Sequence, residues 1–394
     1  MVLGTERPHR EQYSPSTVSA HALRLALAIA LPIAACTTTT TSTVPPAPAT
    51  PTWTIFGELS QPRAYATALA LPSGEILVVG GLDRDDPDVT NAGSELVNVK
   101  TGAVTVLQQK LEGRLHQTMT RAGDRVVVAG GVRFQKTYWD PVDRVDVYLP
   151  VERKWTSASP LIDPRSDHAA TALLDGRVMV IGGNQGPRLL QSVEVYDTKT
   201  DRWARVSPLP SPRTELSAFT LADGRVLVAG GLDTNGRATD TTYLWDAAKD
   251  QWSEGPRMTL PRVQHAALQL ASGDILFIGG DGAASGTSDR YDVKNGVFIR
   301  SGTLVDPRQA AQATALPDGR VVLVGGMPPR NDAFAPLRSA EIWDPASEQW
   351  TALPPSPTAR AWPSLVMIGG VVYQVSGTGD AEAAYRTIER LAVD

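Results

Sequence analysis

Short apolar runs alternate along the chain with polar, Gly- and Pro-rich stretches, and no segment after residue 52 has a helical period. Six runs are apolar at every position: ILVV (76–79), VVVA (126–129), VMVI (178–181), VLVA (226–229), ILFI (275–278) and VVLV (321–324). A four-residue run of this kind, bounded by turn residues, predicts a strand covered on both faces. A DG or SG just before most of them offers the positive φ of a tight hairpin. A Gly pair closes each run, beginning at Gly80, Gly130, Gly182, Gly230, Gly279 and Gly325, in steps of 50, 52, 48, 49 and 46 residues. A degenerate seventh copy, Ser376-Gly377, follows 51 residues later. A period near 50 suits a four-stranded propeller blade and is too long for the common helical repeats.

Other positions keep the same frame. Arg63, Arg114, Arg165, Arg213, Arg262, Arg308 and Arg360 each precede the pair by 16 or 17 residues. Two large residues seven apart follow it: Tyr148/Trp155, Tyr196/Trp203, Trp245/Trp252, Tyr291/Phe298 and Trp343/Trp350. The second of these stands ten residues before the next Arg, as Val104 does before Arg114 in the first copy. Rings on the third and fourth strands would fill the space between stacked blades. A side chain repeated in every copy reads as scaffold, so the seven Arg are expected to bond carbonyls rather than to attract an anion.

Arg, Gly pair and spaced Tyr/Trp together resemble the kelch repeat over residues 53–394. The resemblance implies an all-β fold: a seven-bladed kelch-type β-propeller of four-stranded antiparallel blades. Copy seven stops after a third strand around TIERLAV, whereas Trp53 lies ten residues before Arg63, where a fourth-strand Trp belongs. TWTIF (52–56) is therefore expected to supply the outer strand of the last blade, closing the ring and removing its exposed edges.

Residues 1–36 read as an export signal. Arg7, Arg10 and Arg24 precede the apolar stretch LALAIALPIAA (25–35), which is too short for a spanning helix. Ile33-Ala34-Ala35-Cys36 resembles the bacterial lipobox, which implies a lipidated Cys36 and anchorage at the outer membrane or cell surface. Residues 37–52, TTTTTSTVPPAPATPT, form a Thr/Pro-rich tether. Extended at about 3.1 Å per residue, it reaches roughly 50 Å.

The net charge of −5 and the interspersed signs argue against a nucleic-acid partner. Cys36 is the sole cysteine, so the propeller has neither a disulfide nor a thiol nucleophile. No cofactor or metal is expected. Three histidines, His116, His168 and His265, fall on blades two, three and five, an unpromising start for one ion. DRDDPD (83–88) lacks the Gly and distal Glu of a helix-loop-helix calcium loop and reads as a solvated acidic loop.

What differs between copies is free to specify a ligand. Two residues after each Arg stand Tyr65, His116, Asp167, Glu215, Gln264, Ala310 and Trp362. The polar and aromatic members, Tyr65, His116, Asp167, Glu215, Gln264 and Trp362, are the candidate ligand-binding residues at the channel mouth. Long loops after the Gly pairs of blades one, two and six, including RFQKTYWDPVD (133–143) and PPRNDAFAPLR (328–338), add Tyr138, Trp139 and Phe334.

The expected function is a lipid-anchored, monomeric binding module of the cell envelope, held to the membrane by its lipid alone, for a protein or glycan partner. A glycan site calls for an aromatic platform beside carboxylates in a cleft; a protein site calls for a broad patch across the long loops. Some kelch propellers are enzymes. The copper radical oxidases need a Cys-linked Tyr, which a propeller without Cys cannot form. Signatures of nucleophile-elbow hydrolases, zinc proteases and sialidases are absent. The enzymatic alternative is a mutarotase like the periplasmic kelch proteins that convert sialic acid anomers. Glu215, Asp167, His116 and His168 would then supply an acid and a base.

Overall fold

The computed structural model describes residues 51–82, 92–108, 111–135, 138–329, 334–380 and 383–393. The signal, Cys36 and nearly all of the tether lie outside the described residues, as does the acidic loop 83–88. Among the described residues, no helix is long and apolar enough to cross a membrane.

The described residues form seven four-stranded antiparallel sheets and two small two-stranded ones. In blade one the strands run Thr67–Ala70, Glu75–Val79, Ser94–Asn98 and Val104–Leu107, each paired with the next. Blades two to six repeat this order. Every second strand is buried along its apolar run, because sheets flank it on both sides. The core is divided accordingly into one apolar cluster per junction. Ile181 and Val195 of blade three meet Val228 and Trp245 of blade four, and Val375 of blade seven meets Val78 of blade one. A ring of modest cores solves the problem of stabilising a chain too long for one core.

The seventh sheet closes as the sequence predicts. Thr52–Arg63 pairs with Tyr385–Ala392, with Trp53 opposite Leu391, just as Trp350 stands opposite Trp343 in blade six. The Trp53 indole donates to Pro354 O at 2.9 Å, tying the N-terminal strand to the junction with blade six. Trp155 and Trp350 likewise donate to the preceding blade, to Ser94 and Ser288 hydroxyls. Within a blade the paired rings touch, Tyr148 and Trp155 at 5.0 Å and Tyr196 and Trp203 at 4.9 Å.

The Gly pair is a junction between blades. The N–H of Gly183 donates to the carbonyl of Arg213, the next blade's Arg, at 2.8 Å. At Gly182, with φ of +61°, a Cβ would lie 2.5 Å from that same oxygen, closer than any side chain permits. Ser376 holds this place in blade seven at φ of +62° and instead accepts from Ala66 N at 3.1 Å. The seam between last and first blade is thus joined by side chains: Ser364 also donates to Ala66 O at 2.7 Å.

Candidate binding site at the channel mouth

The recurrent Arg turns away from the channel. All seven are almost fully buried. Arg165 donates to Gly182 O at 2.9 Å, Arg262 to Gly279 O at 2.7 Å and Arg360 to Ser376 O at 2.7 Å. Six also meet a buried carboxylate two residues before the large residue of the third strand: Glu95, Asp146, Glu194, Asp289, Glu341 and Glu389. In blade four the place belongs to Tyr243, whose ring lies 4.9 Å from the Arg213 guanidinium. The carboxylate fastens a loop as well, since Glu194 accepts from the backbone of Ile162 and Asp163. These acids escaped the sequence reading, although their fixed place before the large residue was there to be seen.

Two residues beyond the Arg the geometry reverses. Tyr65, His116, Asp167, Glu215, Gln264, Ala310 and Trp362 all have φ between +45° and +57°. A non-glycine residue in this left-handed region costs about 1 kcal/mol or more, and seven equivalents sharing it mark the turn as built into every blade. Backbone bonds hold it. Asp167 N donates to His116 O, Glu215 N to Asp167 O, Ala310 N to Gln264 O and Trp362 N to Ala310 O, each across a blade junction. The repeat therefore dictates the backbone at this position and leaves the side chain free.

Those side chains divide the mouth into two unlike halves. On blades seven, one and two, Trp362, Tyr65 and His116 stand in a row, with centroids 5.4 Å apart at both contacts. Phe334 extends the row, stacked on Trp362 at 6.3 Å and 19°. Its loop position alone suggested a free surface aromatic; the stacking makes it part of the platform. Blades three, four and five present Asp167, Glu215 and Gln264, and the short side chain of Ala310 on blade six, almost fully buried, lines the channel near Trp362.

Two concavities flank the Tyr65–His116 pair. One of about 270 Å³ leads into the channel past Trp362, Gln264, His265 and Ala310. The other, of about 380 Å³, lies toward blades two and three, between Leu82, Val132, Trp139 and Pro141 on one side and Ser166, Asp167 and Asn184 on the other. Trp139 belongs to a small hairpin, Val132–Gln135 with Tyr138–Pro141, formed by the long loop of blade two. The Tyr138 side chain lies outside the described residues.

Asp167 is the best-anchored acid of the mouth. One oxygen pairs with His116 Nδ1 at 2.8 Å, and the other accepts from Ser166 Oγ at 2.9 Å and Asn184 Nδ2 at 3.0 Å. Burial opposes its ionised form, but His116 first, then Asn184 and Ser166, hold its pKa down to about 2. For His116 burial likewise opposes charge, and the bond and charge of Asp167, with Glu215 behind it, raise the imidazole above its ordinary value. Glu215 moves the other way: burial and the Asp167 charge raise it, against a hydrogen bond from Gln264.

The structure brings Tyr65, His116, Asp167, Gln264 and Trp362 into the walls of the two concavities; Glu215 lines neither but stands beside Asp167 and Gln264, and His168 does not join them. His168 is buried between blades two and three, its Nε2 at 2.9 Å from Thr118 Oγ1, and it lines neither concavity. Burial and the nearby Arg165 push it down to about 3, so it is neutral at physiological pH. His265 makes the same kind of link, to Ser217 Oγ at 2.9 Å, and also lines the channel. Ser166 and Asn184 are the mouth residues that sequence reasoning missed; nothing in their local pattern announces that they converge on Asp167.

Residues 118–294 match the profile of the KLHDC2/KLHL20/DRC7 Kelch-repeats domain. Among solved structures, a copper-bound fungal alcohol oxidase described as a member of the AA5 family superposes with a TM-score of 0.70. The two share 18% identity, over 86% of this chain and 75% of the other. At that identity the likeness concerns the fold. The residues here do not fit that protein's copper: no cysteine occurs beyond Cys36, and no three His, Cys, Asp or Glu converge among the described residues. Among proteins of curated function, none matches the chain by sequence. Seven closed blades, the repeated Arg and Gly pair, and the matched profile identify the chain as a kelch-repeat β-propeller protein.

Proposed function

We propose that this propeller is a glycan-binding module of the cell envelope, exported by residues 1–36 and anchored through a lipidated Cys36. Kelch propellers are common interaction modules, and the choice of a sugar rests on one observation, the two unlike halves of the mouth. A pyranose has an apolar C–H face and a rim of hydroxyls. The Tyr65–Trp362 row offers the first a platform, and Asp167, Glu215 and Gln264 offer the second acceptors and donors. The two concavities have the scale of small-ligand sites, whereas a protein partner would be served by a broad, continuous patch. The anchor reading is supported by the apolar stretch 25–35 ending in Ile33-Ala34-Ala35-Cys36.

The test is a thermal-shift panel of neutral, amino, acidic and acetylated oligosaccharides on the full-length protein in detergent. A ligand at 100 times its Kd adds about 2.7 kcal/mol, and at this chain length that raises Tm by a few degrees. A rise that Trp362→Ala removes is the expected result. A panel with no rise would overturn the glycan reading and direct the search to envelope proteins.

A second reading, sugar mutarotation, is favoured by the opposite displacement of the two neighbouring acids, Asp167 downward and Glu215 upward. Glu215 in its protonated form would donate to the ring oxygen as its bond to the anomeric carbon breaks, and neutral His116, oriented by Asp167, would take the proton of the anomeric hydroxyl; re-closure on the other face of the carbonyl returns both protons. Anomer exchange followed by NMR, with Glu215→Gln as control, decides it: an exchange rate equal to that in buffer removes the reading.

A further inference from the structure

From the unequal partnering of its two acids and the absence of Lys and Arg among the described lining residues, we infer that the mouth selects an amino sugar bearing a free ammonium group. This rests on the glycan reading. Neither concavity has a Lys or Arg among its described lining residues. The seven Arg next to the mouth are buried behind it and bonded to carbonyls, six of them also to acids. Among the described lining residues an anionic sugar would therefore find no guanidinium or ammonium to receive it. His116, whose ring pKa is raised, is already paired with Asp167.

The two acids differ in what they still need. Asp167 has His116, Ser166 and Asn184, which occupy both of its oxygens. Glu215, half-buried on the next blade, has Gln264 as its hydrogen-bond partner among the described residues. It faces the Asp167 charge, which opposes its ionised form more than the His116 ring favours it. An ammonium beside Glu215 would balance the charge and complete its hydrogen bonds. Gln117, 5% exposed, lies in the wall of the smaller concavity; it spends its amide N–H on Thr67 Oγ1 and Val79 O, and its buried Oε1 has no partner. On the opposite half the faces of Tyr65 and Trp362 suit the positively polarised C–H groups next to an ammonium. Unequally partnered acids, aromatic faces and no Lys or Arg among the described lining residues together describe a cation site.

The test uses a matched series on the full-length protein in detergent: cellobiose, N,N′-diacetylchitobiose and the fully deacetylated glucosamine dimer, which differ at C2 in hydroxyl, acetamide and ammonium, plus a uronic acid dimer. Affinities come from titration calorimetry at pH 7. The ammonium dimer should bind at least about tenfold more tightly than cellobiose, the lower range for a hydrogen bond to a charged group. Glu215→Gln should bring that ratio to about threefold or less, because the ammonium dimer loses more affinity than cellobiose does, a split that a merely structural role of Glu215 would not produce. Acidification should do the same as Glu215 takes up its proton while Asp167, held down to about 2, stays ionised. Equal binding of the three dimers, or tighter binding of the uronic acid dimer, would overturn the inference and leave the glycan reading intact. No binding by any of the four would take both down.

Discussion

Positions two residues apart in every blade have opposite fates. The Arg is the same seven times, buried, and bonded to carbonyls and acids that hold one blade to itself and to the next. Its neighbour two residues on differs almost every time, yet has the same left-handed backbone and stands at the channel mouth. One site is held constant in its chemistry, the other only in its geometry. A repeat architecture can thus separate stability from recognition within a single turn, because the backbone bonds at the mouth do not depend on which side chain is presented.

The comparison is broken most severely by removing what closes the ring. Deletion of residues 52–56 strips the outer strand from blade seven and the Trp53–Pro354 bond from the junction with blade six. The variant is expected to be insoluble or to lack a cooperative thermal transition; a normal transition would contradict the closure. Next, Arg165→Ala leaves Glu194 buried without its cation, at a cost of about 3–5 kcal/mol, measurable by urea denaturation. Two residues on, Asp167→Asn should cost far less stability while weakening ligand binding, and equal losses at both positions would erase the contrast between the two rings.

A finer distinction lies in pH. Asp167 is lowered to about 2 in the fold, so its stabilising contribution is present above the unfolded value near 3.8 and is lost as pH falls through about 2. His116 is raised, so its contribution is complete below 6.5 and fades as pH rises through its folded pKa. The pair thus stabilises most between about pH 4 and 6.5. Both groups keep contact with solvent, at 24% and 37% exposure, which makes this the smallest of the expected effects. Imidazole NMR on the five histidines should find His116 titrating above 6.5 and His168 still neutral at pH 5. A His116 value at or below 6.5 would dissolve the pair.

The fold was largely legible because its determinants are local and repeated. The Gly pair, the Arg, the large residues and even the displaced Trp53 lie in a fixed register, and the structure uses each of them at a blade junction. The site was legible only as a set of positions. That Asp167 meets His116, Ser166 and Asn184, and that Phe334 lies on Trp362, depends on where loops of different blades converge once the ring has closed. No period carries such contacts. The acids opposite the Arg are a different case: they repeat six times in seven, and only the variety of Asp and Glu hid them among other surface charges.

The separation of the two rings is tested most directly by one thermal-shift measurement on the full-length protein and its Tyr65→Ala/Trp362→Ala variant, with and without the tightest-binding dimer of the series above. The expected outcome is an unliganded Tm within a few degrees of the parent and no rise on adding sugar to the variant, against a clear rise for the parent. A variant that melts far below the parent would show that the mouth residues hold the fold together, and a variant that still responds to sugar would place recognition elsewhere on the molecule.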